Sequence, residues 1–210
     1  MIYKKNNKKS LNSSKNLFDI FIMNNQVNME FLKECLRVEV IGGKDKKFSW
    51  GRALRHAWRQ PKRRFLFWWR IASYLNDKKG KRCKKIAHFL NRRLMKKYNT
   101  EIGLGAKIQP GLFVAHYNGI VVSLYCDIGK NFLIRQNTTI GIKTPGRKDE
   151  DYRIKIGDDV VLGANCCIIS DDIRIGDNVK IGAMTFVNKD IPDNNVYYTK
   201  KETVQVLREA

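Results

Sequence analysis

His116 lies within Ala115-His116-Tyr117-Asn118-Gly119 and is the only histidine beyond residue 100. A free alcohol is a poor nucleophile at neutral pH. A histidine side chain, whose ordinary pKa is about 6.5, is largely neutral there and can take the hydroxyl proton. Its other ring nitrogen then needs an acceptor that fixes the tautomer. Any oxyanion would fall to backbone N–H groups, which side-chain identities do not reveal. Asn118 has two readings, an assisting polar group or a turn former. The five cysteines offer no rival chemistry. Cys35, Cys83 and Cys126 lack metal-ligand spacing, and the adjacent Cys166 and Cys167 would point to opposite sides of a strand. All are expected as reduced thiols, and with three histidines in the chain no metal site is expected.

The element that must hold His116 is an imperfect six-residue repeat. Ile102, Ile108 and Val114 are six apart, as are Val122, Ile128, Ile134 and Ile140, then Ile156, Leu162 and Ile168, then Ile175, Ile181 and Val187. Seven of these thirteen aliphatics are followed directly by glycine, which a helix of period 3.6 would not tolerate. A hexapeptide period with small turn residues predicts a parallel β-helix, each hexad a short strand and a turn, with the aliphatics stacked in a shared core. The repeat slips three times: Val114 to Val122 is eight residues, Ile140 to Ile156 sixteen, and Ile168 to Ile175 seven. The slips predict a two-residue insertion at the His116 segment, an ejected loop of about ten residues near 143–152, and a one-residue bulge. Irregular loops on a rigid scaffold are where binding and catalysis concentrate.

The stretch Ile102-Gly-Leu-Gly-Ala-Lys-Ile-Gln-Pro-Gly-Leu-Phe-Val-Ala-His116-Tyr-Asn-Gly-Ile-Val-Val122 resembles the catalytic segment of the serine acetyltransferases and related hexapeptide-repeat acyltransferases. Lys155-Ile-Gly-Asp-Asp-Val-Val-Leu-Gly-Ala-Asn165 is similar to the coil that contacts coenzyme A in that family, and Ile175 to Pro192 continues the match. The resemblance spans roughly 50–192 and is tightest over 101–192. It implies a left-handed β-helix that assembles as a homotrimer, with acetyl-CoA as acyl donor lying in grooves between coils of two subunits. It also implies His116 as the catalytic base, with the family's acidic partner, fifteen positions upstream, at Glu101. For acetyl-CoA it points to Gly163, Ala164, Gly182 and Ala183, with Lys180, Lys189 and Lys200 as candidates for the nucleotide phosphates. Small residues at these turns also suit any β-helix, and lysines also suit a solvated face.

The chain departs from that family at the acceptor site. Ala115 stands where serine acetyltransferases place an acid before the histidine, and Tyr152-Arg153 stand in place of their Arg-His pair. The tail, Val196-Tyr-Tyr-Thr-Lys200, lacks the family's usual closing turn. These departures led us to expect a sugar hydroxyl of a surface polysaccharide (capsule, lipopolysaccharide or exopolysaccharide) as acceptor, contacted by Tyr117, Asn118, Tyr152 and Arg153. Serine as acceptor is the alternative, and an inactive trimeric scaffold at the membrane is an alternative of another class.

The charge is divided. Residues 1–100 carry 27 Lys and Arg against 6 Asp and Glu, whereas 101–210 carry 14 of each. Residues 1–28, rich in Asn, Lys and Ser, are expected to be disordered. Residues 29–100 read as a basic helical region: 30–41 ended by Gly42-Gly43, a helix capped by Ser49 and stopped by Pro61, then 62–76 and 79–98. The β-helix follows over 101–192, and 193–210 form a tail. Phe65, Phe67, Trp68, Trp69, Ile71 and Leu75, flanked by Arg and Lys, are expected to pack the helices against the β-helix, and an interfacial patch for anionic lipid is an added role. No nucleic-acid motif accompanies the charge, so that partner is not expected. No apolar run approaches the ~20 residues of a membrane span, and the chain is expected in the cytoplasm, peripheral to the membrane at most.

Overall fold

The computed structural model describes residues 28–43, 45–202 and 205–206. The disorder expected for the N-terminal segment therefore concerns residues outside that set, apart from its last. Helix α1 occupies 28–36 and runs into a π-helical turn, Arg37–Ile41, closed by Gly42 in the left-handed region. Helix α2 spans Trp50–Arg59, α3 Pro61–Asn76 and α4 Lys81–Tyr98. Pro61 stops one helix, as expected, and also opens the next. It has no N–H to waste in a first turn, and it forces the preceding Gln60 into extended backbone, which is where α2 ends.

From Thr100 the chain winds into a parallel β-helix of about five coils with three sheets as walls. The first wall stacks β1 (Thr100–Ile102), β4 (Ile120–Val122), β7 (Thr139–Gly141), β10 (Cys167–Ile169) and β13 (Phe186–Val187). The second stacks β2 (Lys107–Ile108), β5 (Cys126–Ile128), β8 (Arg153–Ile156) and β11 (Asp172–Ile175). The third stacks β3 (Phe113–Val114), β6 (Leu133–Ile134), β9 (Val161–Leu162), β12 (Lys180–Ile181) and β14 (Val196–Tyr197). All thirteen repeat aliphatics are buried, none more than 3% exposed.

The register accounts for each slip in the repeat. Val121 opposes Thr139, eighteen residues on, which is one coil. Thr100 opposes Ile120, Thr139 opposes Cys167 and Cys167 opposes Phe186, giving surpluses of two, ten and one residue. Left-handed residues stack at the turns: Asn131, Asp159, Asn178 and Asn194 along one edge, and Asn137, Asn165 and Met184 along another. Asparagine tolerates this conformation best among residues with a side chain. Asp158, Asp177 and Asp193 each accept a backbone N–H from the coil before.

The outward-facing columns differ in character. On the first wall the column reads Glu101, Val121, Thr139, Cys167, Phe186, and on the third Phe113, Leu133, Val161, Lys180, Val196. On the second it reads Lys107, Asp127, Lys155, Arg174, all charged. Two walls thus present mostly apolar outer surfaces, and they share an edge.

The helices cap the first coil. Trp69 is fully buried and donates its indole N–H to Ile102 O at 3.1 Å. Arg70 and Glu39, 4% and 0% exposed, form a fork: Arg70 Nε to Glu39 Oε2 at 2.9 Å and Nη2 to Oε1 at 2.5 Å. Arg70 also donates to Ile108 O and Gln109 O, and Glu39 Oε1 accepts the N–H groups of Gly111 and Leu112. Phe65, Phe67 and Trp69 pack inward as expected, and of that helix's aromatics only Trp68 is exposed. The larger exposed stripe lies on α2 instead, where alanines rather than aromatics face the core.

Removing one partner of a buried pair strands the other charge and typically costs about 3–5 kcal/mol. Glu39→Ala is therefore expected to lower the urea midpoint by a corresponding amount, while Glu30→Ala, in an exposed pair, leaves it nearly unchanged. Equal small effects in both variants would contradict this role for the fork.

Candidate active site

The two-residue insertion at 115–119 sits on the edge shared by the first and third walls, between β3 and β4. His116 is exposed at that edge, and the segment around it is held from three directions. Ala115 donates its N–H to Ile134 O in the next coil, at 3.0 Å. Tyr117 inserts its ring against Phe65 (centroids 4.7 Å apart) and Tyr98 (5.5 Å), and donates its hydroxyl to Lys62 O at 2.7 Å. Burial pushes the Tyr117 phenol well above its ordinary value, so it stays a neutral donor. Asn99, the left-handed residue that ends α4, donates Nδ2 to Asn118 Oδ1 at 2.7 Å and accepts the Gly119 N–H at 2.8 Å. The helical region therefore positions the His116 segment directly.

Glu101 is exposed on β1, one residue from the start of that strand and opposite Val121 of β4. Its side chain faces outward on the wall that adjoins the His116 edge. No hydrogen bond or ion pair joins Glu101 to His116 within the chain, among the described residues.

The small residues singled out from the sequence fall on the same edge as His116. Successive coils pass it at 115–119, 135–138, 163–166 and 182–185, stitched by Asn137 N–H to Asn118 O, Asn165 N–H to Gln136 O and Met184 N–H to Ala164 O. A Cβ on Gly163 would lie 2.5 Å from the Ala183 nitrogen, and one on Gly182 would lie 2.8 Å from Tyr198 Cβ. Coil stacking alone thus requires those glycines. Ala164 and Ala183 face outward, and among the described residues neither donates its N–H to a partner in the chain. A narrow ledge with free amide donors suits an extended chain bearing carbonyl groups, as the pantetheine arm of acetyl-CoA does. Lys189 lies elsewhere, beyond β13 on the edge between the first and second walls, and it is exposed there.

Tyr152 and Arg153 also lie on that other edge, where the ten-residue loop returns to β8. Tyr152 is buried: its hydroxyl accepts the Arg147 N–H at 2.9 Å, donates to Thr144 O at 2.8 Å, and its ring packs on Tyr125. Asp171 accepts the N–H groups of Lys143 and Thr144, and these bonds, the Thr144 one foremost, hold its carboxyl below the usual range. Arg153 extends outward near Asp172, 3.6 Å away. Within one chain the structure therefore gathers His116, Asn118, Ala164 and Ala183 on one edge, and places Tyr152, Arg153 and Lys189 on another. Sequence reasoning missed Asn99 and Tyr98, which with Phe65 hold the His116 segment. Asparagine after a helix-ending Lys-Lys-Tyr was the available signal.

The cysteines are free thiols. Burial pushes Cys35 and Cys126 up to about 12, which leaves no thiolate to act as nucleophile near neutrality.

A family model described as the hexapeptide repeat of succinyl-transferase matches residues 153–189. Serine acetyltransferase 3, mitochondrial, of Arabidopsis thaliana is 36% identical over 109 residues, which is 52% of this chain and 27% of that protein. Serine acetyltransferase of Staphylococcus aureus is 38% identical over 94 residues, 44% of this chain and 42% of that protein. The chain thus spans about a quarter and about two fifths of the length of these two relatives. Among solved structures, Neisseria gonorrhoeae serine acetyltransferase in complex with serine superposes with a TM-score of 0.62 at 25% identity, covering 86% of this chain and 70% of that one.

Gly119 has φ +62°, and a Cβ there would strike Asn137 Oδ1. Gly119→Ala is expected to cost about 1–3 kcal/mol in a urea titration, from the strain of a left-handed alanine plus the clash. An unchanged midpoint would mean that the His116 segment is not held in this form. In the native protein, Cys35 and Cys126 are expected to resist a thiol-specific reagent at pH 8 that modifies all five cysteines after unfolding. Fast labelling of either in the native state would contradict their burial.

Proposed function

We propose that this chain, a hexapeptide-repeat β-helix similar to the serine acetyltransferases, transfers the acetyl group of acetyl-CoA to the hydroxyl of a small acceptor, with His116 as general base. The observation that carries the reading is the edge on which the His116 segment and the Ala164 and Ala183 ledge stack in successive coils. The ledge supports the thioester arm, and acetyl-CoA supplies the activated carbonyl when bound. His116 takes the acceptor's hydroxyl proton as the oxygen attacks, then returns a proton to the departing thiol. Glu101, on the adjoining wall, supplies a carboxylate that can orient the imidazole. Such a positioned base is typically worth ~10²–10⁴ in rate.

The similar proteins name serine, and L-serine is the acceptor we favour over the saccharide expected from the sequence. A saccharide hydroxyl remains a second reading on one specific observation. Ala115 offers no carboxylate for an ammonium group. The apolar outer columns of the first and third walls support assembly into a closed ring of three. One wall of each subunit would meet the other wall of its neighbour. Reduced thiols and a soluble acyl donor suit the cytoplasm, and the polycationic helical half adds an attraction to anionic surfaces.

Free-thiol release from acetyl-CoA tests the reading. Release is expected with L-serine and is expected to fall at least 100-fold in His116→Ala, with acetyl-CoA binding retained. Release with saccharides alone would replace serine by the second reading. No release with either class, together with no acetyl-CoA binding, would leave a β-helix used only as a scaffold.

A further inference from the structure

Helix α2 carries a face that the fold leaves largely uncovered, with Trp50 edge-to-face against Phe48 (centroids 5.1 Å apart). Its sequence, Trp-Gly-Arg-Ala-Leu-Arg-His-Ala-Trp-Arg, is strongly amphipathic, yet only Ala53 and Ala57 are buried. The rest of the apolar arc projects past the packed surface: Trp50 is 40% exposed, Leu54 51% and Trp58 80%. These three are spaced i, i+4 and i+8 and form one stripe along the helix. Arg55 and Arg59, beyond Trp58 around the helix, and Lys62 at the start of α3 are exposed, and none forms an ion pair among the described residues. Between Lys46 and Thr100 the sequence holds a single acid, Asp77. His56, on the flank of the helix, is pushed below its ordinary value by burial first and then by Arg63, Arg55, Lys46 and Arg59.

We propose that the Trp50, Leu54 and Trp58 face of α2 docks onto an anionic lipid bilayer, with Arg55, Arg59 and Lys62 at the headgroup level. Exposed tryptophans beside arginines match the interface, where an apolar ring with a polar edge and a headgroup phosphate are both satisfied. Charge complementarity selects this occupant. A second copy meeting the same face across a two-fold axis would set like cations against each other. A nucleic acid would match the cations and leave the apolar stripe in water. No described helix is long and apolar enough to cross a membrane, so the contact is peripheral. In this arrangement α2 rests on the membrane and carries α3, which helps hold the His116 segment, close to it. The inference goes beyond the proposed reaction and does not depend on it.

Sedimentation of the full chain with vesicles of phosphatidylcholine alone, or with 30% phosphatidylglycerol, tests the proposal. Binding to the anionic vesicles is expected to be at least about tenfold tighter, because every rim cation adds attraction, and it is expected to weaken steeply in 0.5 M salt. The Trp50→Ala, Leu54→Ser, Trp58→Ala triple variant, which keeps every cation, is expected to lose at least about tenfold of that binding with an unchanged circular dichroism spectrum. Arg55→Glu with Arg59→Glu, which keeps the stripe, is expected to abolish the preference for anionic lipid. Binding by the triple variant equal to the parent would overturn the proposal. So would a stripe variant that changes the oligomeric state without changing vesicle binding, or tighter binding to a DNA duplex than to anionic vesicles.

Discussion

The buried carboxylate of Glu39 is the constraint on which the positions of the other parts depend. A carboxylate with no exposure must be fully satisfied, and four donors converge on it: two from Arg70 and the N–H groups of Gly111 and Leu112. Arg70 in turn donates to Ile108 and Gln109 carbonyls. One ion pair therefore joins the π-helical turn, α3 and the first turn of the β-helix. An apolar pair could contribute as much stability, since desolvation offsets most of the Coulomb gain. It would not fix the angle and register at which the helices meet the coil. The turn that Glu39 grips leads directly into β3 and the His116 segment, so an error of register there would displace the site.

The β-helix explains why the site lies where it does. A regular eighteen-residue coil offers no concavity, so chemistry requires a departure from regularity, and the departure must not disturb the stack. The insertion at 115–119 is tolerated because it falls at a turn, and because α3 and α4 anchor it through Lys62, Phe65, Tyr98 and Asn99. Below it, glycines that coil stacking demands leave Ala164 and Ala183 as a shallow ledge along the same edge. In the proposed reaction, packing and binding draw on the same small residues, and their identity alone does not distinguish the two uses.

The parts legible in the sequence were those governed by period. The thirteen aliphatics, the coil of eighteen and the three slips all follow from side chains alternating between core and solvent, and each reappears in the strand register. His116 was legible because it sits in a slip. Tertiary placement was not. Tyr152 looks like an exposed aromatic in a polar loop, yet it is the buried post around which that loop folds. Lys189 sits on a different edge from the glycines near it in sequence, because each turn rotates the chain to the next wall. The Glu39 and Arg70 pair, 31 residues apart with no shared motif, could not be anticipated from charges in so basic a segment.

The central claim is that the edge shared by the first and third walls is where acetyl-CoA and the His116 chemistry meet. Backbone hydrogen exchange of the protein with and without acetyl-CoA tests this most directly. The account predicts slowed exchange at 115–119, 163–165 and 182–184, with sheet positions of the charged second wall unchanged. Protection confined to the second wall, or to the helices alone, would contradict it.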